Sequence, residues 1–433
     1  MTAPARVLRS ERMQRLFLAI LVGALALTSV ARAEEVSAPV VEPIEPAAAA
    51  PAEDTLSIYV VTFGPGDHPF FAFGHDAILV RDRAAGTDLV YNFGTFRFHA
   101  GLIGEFLKGR LTYWLSVAPF DEVRADYMRE NRTISLQELA LGPEAKRALR
   151  ARLADNARPS KREYKYDYFL DNCSTRVRDA IDLSTGGALR ASARAPGRLT
   201  LREQALRMTA PHWWLYLALD LVLAGSTDRP IDRWGEMYIP EELAKGLHAV
   251  TVPGPAGAAP RPLVASEQLL FAASRPPPLV DPPARFVTLL LVGLAIGLVF
   301  LGLGWSSRRP VVRVTFGLAV ALWGLAVGFI GCFLLYAWFF TDHVVAHRNE
   351  NIFLCAPWAV SLFALGLGVA FGSQRARLAA LRVAVSALLF ALVGWGLKAH
   401  PALSHQHNAA LIALLLPPWA GMAAGLLHAR HGG

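Results

Sequence analysis

The chain has 433 residues, enough for two units that each bury their own apolar surface. Its residues are 53% hydrophobic and almost all carboxylates lie before position 285, which excludes an ordinary soluble protein and points to a soluble first half and a membrane second half. The net charge of +8 comes from Lys and Arg scattered singly, without a basic stripe or a nucleic-acid motif, so a nucleic-acid partner is set aside in favour of anionic lipid headgroups.

Arg6, Arg9, Arg12 and Arg15 precede the apolar run LFLAILVGALAL, and Ala31 and Ala33 supply an A-x-A site. This is the grammar of a signal peptide over residues 1–33; an uncleaved anchor is the alternative, and either one translocates the next segment. Residues 34–54, an Ala/Pro/Glu stretch without periodicity, read as a disordered tether. Residues 55–250 read as an α+β domain, a small sheet with helices segregated against it. LSIYVVTFG, AILVRD, DLVYNFGTF, YWLSVAPF and TISLQELAL carry strand patterns, and DEVRADYMREN and PEAKRALRARLADNA carry helical spacing. WWLYLALDLVLAG is about half the ~20 residues a span requires and contains Asp220, so it reads as a core or interface-lying helix.

The prolines of 251–285, among them Pro253, Pro255, Pro260, Pro262, Pro276, Pro277 and Pro278, predict a semi-extended linker. Apolar stretches near 286–305, 314–340, 352–372, 380–397 and 409–427 then predict an all-α bundle of five transmembrane helices. Arg308, Arg309 and Arg313 come after the first, Arg375, Arg377 and Arg382 after the third, and Arg430 after the fifth. The positive-inside rule puts those ends in the cytoplasm, and the loops at 341–351 and 398–408 outside with the soluble domain.

Cys332 and Cys355 fall in apolar runs, leaving Cys173 as the one cysteine of the soluble domain. Internal disulfides are thereby excluded, and an exported lone thiol either has a task or is deeply buried. In FLDNCSTRVRDAI, Asp171 or Asn172 is a natural N-cap, placing Cys173 in the first turn of a helix. There the macrodipole favours the thiolate, which is the nucleophile, and free N–H groups suit an oxyanion. A small buried hydrophobe is the plainer alternative.

The base expected for this thiol is His75, directly before a strand in FGHDAILVRD, with His68, His99 and His212 as rivals. Asn92, on the returning strand of the hairpin, is expected to orient the ring, although an Asn beside Gly is often only a bulge residue. Tyr164, Tyr166 and Tyr168 alternate along one face of an extended segment, and Tyr166 and Tyr168 are taken as candidates for the acyl or headgroup entrance; core packing is equally open. The external loops offer His343, Arg348, Asn349 and His405 as candidate substrate contacts, with ordinary solvated loop residues as the alternative. His343 and His347 have i, i+4 spacing, but without a motif such as H-E-x-x-H no metal is assigned. No cofactor is implied.

The order of a His-bearing strand, a hairpin and a later Asn-Cys helix start resembles the permuted papain-like fold of NlpC-type and lecithin:retinol acyltransferase-type enzymes. More closely, FGHDAILVRD, YNFGTF, YDYFLDNCSTRVRDAID, TLREQ and WGEMYIPEEL, with TDHVVAHRNEN in the membrane half, resemble the Lnb-type N-terminal periplasmic domain of bacterial lipoprotein N-acyltransferases. The resemblance covers most of 55–250 and, more loosely, the membrane region. It implies Cys173 as nucleophile and His75 as its base, in a multi-pass protein of the bacterial inner membrane. The implied reaction moves an acyl chain from a phospholipid to the amine of a lipoprotein through a thioester. The rivals are a cell-wall amidase or peptidase using the same pair, and a non-catalytic lipid-binding or assembly module with a structural Cys173.

Overall fold

The computed structural model describes residues 54–97, 101–254, 258–400 and 402–429. The expected signal at 1–33, nearly all of the expected tether, His99 and Arg430 lie outside the described residues.

The strand patterns are borne out as β1 (Leu56–Phe63), β2 (His75–Asp82), β3 (Thr87–Thr95), β4 (Thr112–Pro119) and β5 (Ile134–Leu139). Helix α1 (Leu102–Lys108) precedes β4, α2 (Phe120–Arg129) precedes β5, and α3 (Pro143–Asn156) leads to the short β6 (Glu163–Lys165). Next in the chain are helices α4 (Cys173–Ser184), α5 (Ala188–Ser192), α6 (Leu201–Thr209), α7 (Trp213–Val222), α8 (Arg233–Glu236) and α9 (Pro240–Leu247). The small ribbon β7 (Thr251–Val252) and β8 (Arg261–Pro262) comes after them, and then β9 (Val264–Phe271).

Seven strands form one antiparallel sheet in the order β6-β4-β3-β2-β1-β5-β9. Alternation assigns its faces. Ile58, Val60, Ile78, Val80 and Tyr91 pack with Leu149 and Leu153 of α3, Val177 and Ile181 of α4, and Leu243 of α9. Tyr59, Val61, Phe63, Ala77, Leu79 and Val90 pack with Phe120 and Val123 of α2. Helices therefore cover both faces, where the sequence suggested segregation. Val177 and Ile181 are fully buried, and at about 1.5–3 kcal/mol each they pin α4 against the sheet.

Two expectations need correction. The stretch read as a linker contributes β9, which pairs with β5 from Ile134↔Phe271 to Leu139↔Val264. The third apolar stretch is not one helix. It runs as 3₁₀ turns at Glu350–Phe353 and Pro357–Ser361 and then a nine-residue helix, α12 (Leu362–Ala370).

Among the described residues, four helices are long and apolar enough to cross a membrane: α10 (Phe286–Trp305), α11 (Pro310–Phe340), α13 (Gln374–Leu397) and α14 (Ala409–His428). The broken segment runs back along α11, where a Cβ on Gly331, Gly328 or Gly317 would strike Cys355, Val360 or Ala370 backbone. Non-helical backbone at that depth is tolerable because protein covers it; the Trp419 indole N–H, for example, donates to the Leu354 carbonyl at 3.0 Å. Arg377 caps the end of α14 through the Leu426 carbonyl, and Arg313 lies against Gly372. These loop arginines thus gather at one end of the bundle. At the other end the loops meet the soluble domain.

Candidate active site

Asn172 proves to be the N-cap of α4. Its Oδ1 accepts from the Thr175 N–H at 2.9 Å, and the Thr175 hydroxyl accepts from the Asn172 N–H at 2.8 Å, a reciprocal capping box. The Asn172 amide also donates to the Tyr168 and Tyr238 carbonyls, both at 3.0 Å. Cys173 is thereby fixed as the first helical residue and is buried.

His75 opens β2 opposite Phe63. Since Ile78 and Tyr91 pair and face α4, alternation sends both His75 and Asn92 to the α2 face. There His75 Nε2 meets Asn92 Oδ1 at 2.5 Å. An amide oxygen only accepts, so Nε2 carries the proton and Nδ1 keeps its lone pair for a proton acceptor's role. The ring stacks near Phe63 and Tyr127, with centroids 6.1 and 6.3 Å away.

Thiol and imidazole come from opposite faces of the sheet, and a bulge lets them meet. The β3–β4 register shifts between Asn92 and Thr95, and Gly94 inside the shift has φ +96°. A methyl built on Gly94 would lie 3.4 Å from Cys173 Cβ, 3.5 Å from His75 Cε1 and 4.0 Å from the Tyr164 hydroxyl. The glycine keeps open the one space bordered by all three groups.

Electrostatics depart from the expectation of an acidic thiol. Burial pushes Cys173 up to about 12, reinforced by the charge of Asp76; the backbone N–H groups of Asp76 and Ser174, and the charge of Arg132, pull less strongly the other way. Burial, and next the Arg132 charge, bring His75 down to about 4 despite its bond to Asn92. Desolvation outweighs the helix dipole, and the resting pair is thiol and neutral imidazole.

Several contributors carry no clear mark in the sequence. Arg132 lies over the Tyr127 ring at 4.4 Å and anchors its Nε–H on the Gly64 carbonyl at 2.9 Å, which places a cation behind the imidazole. The Tyr164 hydroxyl is buried without a hydrogen-bond partner and faces the gap; burial raises its pKa, so it remains a donor. Gly94 does carry a signal, because glycine inside a strand often marks a close approach.

Tyr166 stacks on Tyr113 at 4.1 Å and meets Tyr168 edge-on at 5.5 Å. Tyr168 faces His343 at 6.3 Å, and His343 Nε2 bonds the Phe106 carbonyl at 2.7 Å. These rings border a small cleft between the β4–β6 edge and the loop after α11. Arg110 pairs with Asp342 at 2.8 Å across the same junction.

The other loop candidates are placed differently. Asn349 is buried; its amide donates to the Leu221 and Val222 carbonyls at 2.9 and 2.7 Å, and its oxygen accepts from the Asn351 N–H at 2.9 Å. Its amide nitrogen is committed to docking α7. Arg348 and His405 are exposed, and nothing in the geometry brings either to Cys173. Among the described residues no cluster of His, Cys, Asp or Glu has the arrangement of a metal site.

Comparison with curated proteins and with solved structures finds no match. One family model matches, described as the Lnb N-terminal periplasmic domain, over residues 47–205. That span holds Cys173, His75, Asn92 and Gly94, and with the four apolar helices it fits a multi-pass membrane protein whose soluble domain is periplasmic. Over those residues the chain is similar to the Lnb N-terminal periplasmic domain.

Proposed function

We propose that the protein is an acyltransferase of the bacterial inner membrane, using Cys173 to carry an acyl chain from a phospholipid ester to the amine of a lipoprotein. The observation that carries the reading is the convergence of Cys173 and His75 on the space kept open by Gly94, with Asn92 fixing the ring. A strand bearing the base before a helix opened by the nucleophile also supports a permuted papain-like arrangement.

As the ester carbonyl enters, the thiol sulfur bonds to its carbon while His75 Nδ1 takes the S–H proton. The oxyanion lies near the N–H groups at the start of α4 and the Tyr164 phenol. The C–O bond breaks, the lysophospholipid alkoxide takes the proton from His75, and a thioester remains on Cys173. The free amine of the lipoprotein then attacks the thioester carbonyl; His75 accepts a proton from that nitrogen and returns it to sulfur as the C–S bond breaks. The neutral resting pair suits this sequence, since it suppresses side reactions of a free thiolate between turnovers.

The test is mass spectrometry of lipoprotein N-termini in cells lacking other N-acyltransferases. Wild-type protein should restore the N-acyl group and Cys173→Ala should not. Full N-acylation by Cys173→Ala would overturn the reading.

A further inference from the structure

The alternation that sends His75 to the α2 face sends Asp76 beneath the first turn of α4. The carboxyl is fully enclosed, at 0% exposure. Its Oδ1 accepts from the Thr62 hydroxyl at 2.8 Å, while Oδ2 is buried with no partner at hydrogen-bond distance. Ser174, next to the nucleophile, lies near the carboxyl but makes no hydrogen bond to it. Its hydroxyl proton goes to the Met237 carbonyl at 2.8 Å. A carboxylate at Asp76 would hold a full charge on a single hydrogen bond in a dehydrated site; a carboxylic acid carries no charge and costs far less to bury.

We propose that Asp76 works as a neutral carboxylic acid, a positioning residue held by Thr62 of β1 beneath the start of α4, and that loss of its proton turns the thiol off. The inference rests on reading Cys173 as the nucleophile. The titratable and charged groups around the site are His75 on β2, Cys173 on α4, Arg132 beside β5, Tyr127 on α2 and Tyr164 on β6. His75 titrates near 4, Cys173 near 12, and burial raises both tyrosines. Burial pushes Asp76 up to about 7, against partial relief from Ser174 and Thr62. Asp76 is thus the group whose charge changes around neutrality. When it ionises, its negative charge disfavours the neighbouring thiolate.

The experiment uses full-length protein in detergent. The rate of iodoacetamide alkylation is followed on the Cys173 peptide by mass spectrometry, which separates it from Cys332 and Cys355. For wild type the rate should climb about tenfold per pH unit below neutrality, flatten around pH 7, then climb again. Asp76→Asn keeps an acceptor for the Thr62 hydroxyl but cannot ionise. Its profile should rise without a step and exceed wild type by roughly tenfold or more above about pH 8. A wild-type profile that is straight between about pH 5 and 9 overturns the proposal without any variant. A folded Asp76→Asn whose profile superimposes on wild type overturns it as well. Alkylation requires no lipid, so this outcome is separable from failure of the acyltransferase reading, which Cys173→Ala tests in cells.

Discussion

Gly94→Ala isolates the geometry on which the proposed chemistry depends. The substitution has two effects. The first is backbone strain: φ is +96°, a conformation that costs an L-residue about 1–3 kcal/mol. For a domain of this size each kcal/mol lowers Tm by about 2–4 °C. The second is occupancy. The methyl would sit 3.4 Å from Cys173 Cβ and 3.5 Å from His75 Cε1, ordinary contact distances, so the two side chains need not move apart. It would, however, fill the place a carbonyl carbon must reach, within about 3–3.5 Å of the attacking atom. Displacement by about 1 Å costs on the order of a hundredfold, so acyl-enzyme formation should fall at least that far. Gly86→Ala is the control: φ there is also positive, at +64°, and nothing lies within 4 Å of the added methyl. Intact-protein mass spectrometry after mixing with phospholipid vesicles reads the thioester, and thermal unfolding reads the strain. Both variants should lose similar stability and only Gly94→Ala should lose the adduct. A folded Gly94→Ala that acylates within a few-fold of wild type would refute the idea that this gap receives substrate.

Asn92→Ala removes the acceptor that selects the Nε2–H tautomer; kcat should fall roughly a hundredfold with KM little changed, and Asn92→Asp should recover much of it with a pH profile moved upward. Asp76 has a folded-state value near 7 against an ordinary 3.8, so the folded state binds the extra proton. Stability to urea should accordingly decline as pH rises from about 4 to 7, by about 4 kcal/mol in all, and level off above. Asp76→Asn should remove that slope, and an unchanged slope would count against it. Arg202 is 2% exposed and pairs with Asp220 and Asp228 at 2.9 and 2.8 Å. Arg202→Met leaves two buried carboxylates without their cation and should cost about 3–5 kcal/mol, read as a lower Tm in detergent.

The hairpin of β2 and β3 and the start of α4 were legible because they obey local rules. Alternation sets which strand residues face α4, and an Asn-Cys-Ser-Thr sequence caps a helix wherever it lies. The acidity of Cys173 was not legible, because the dipole is local while burial depends on how the whole sheet closes over the thiol. The strand β9 was hidden among prolines, since VASEQLLF lacks clean alternation and acquires its state only by pairing with β5. The third apolar stretch breaks for a related reason: hydropathy averages over Pro357, which stops a helix without making the segment polar. Asn349 resembled an exposed loop residue, and only the docked end of α7 shows where its amide goes.

That docking bears on the order in which the protein is made. Helix α7 ends with carbonyls at Asp220, Leu221, Val222 and Leu223 that no later turn can satisfy. Arg202, already synthesised, serves the first and last of them. The Leu221 and Val222 carbonyls receive Asn349, over a hundred positions later in the chain, and Leu223 also receives Gln406, later still. The domain that crosses the membrane first is therefore completed last. While the ribosome is still producing the spans, the lower end of the exported domain must stay hydrated. It closes only when the loops after α11 and α13 arrive, so insertion of the bundle and maturation of the soluble domain are two views of one folding event.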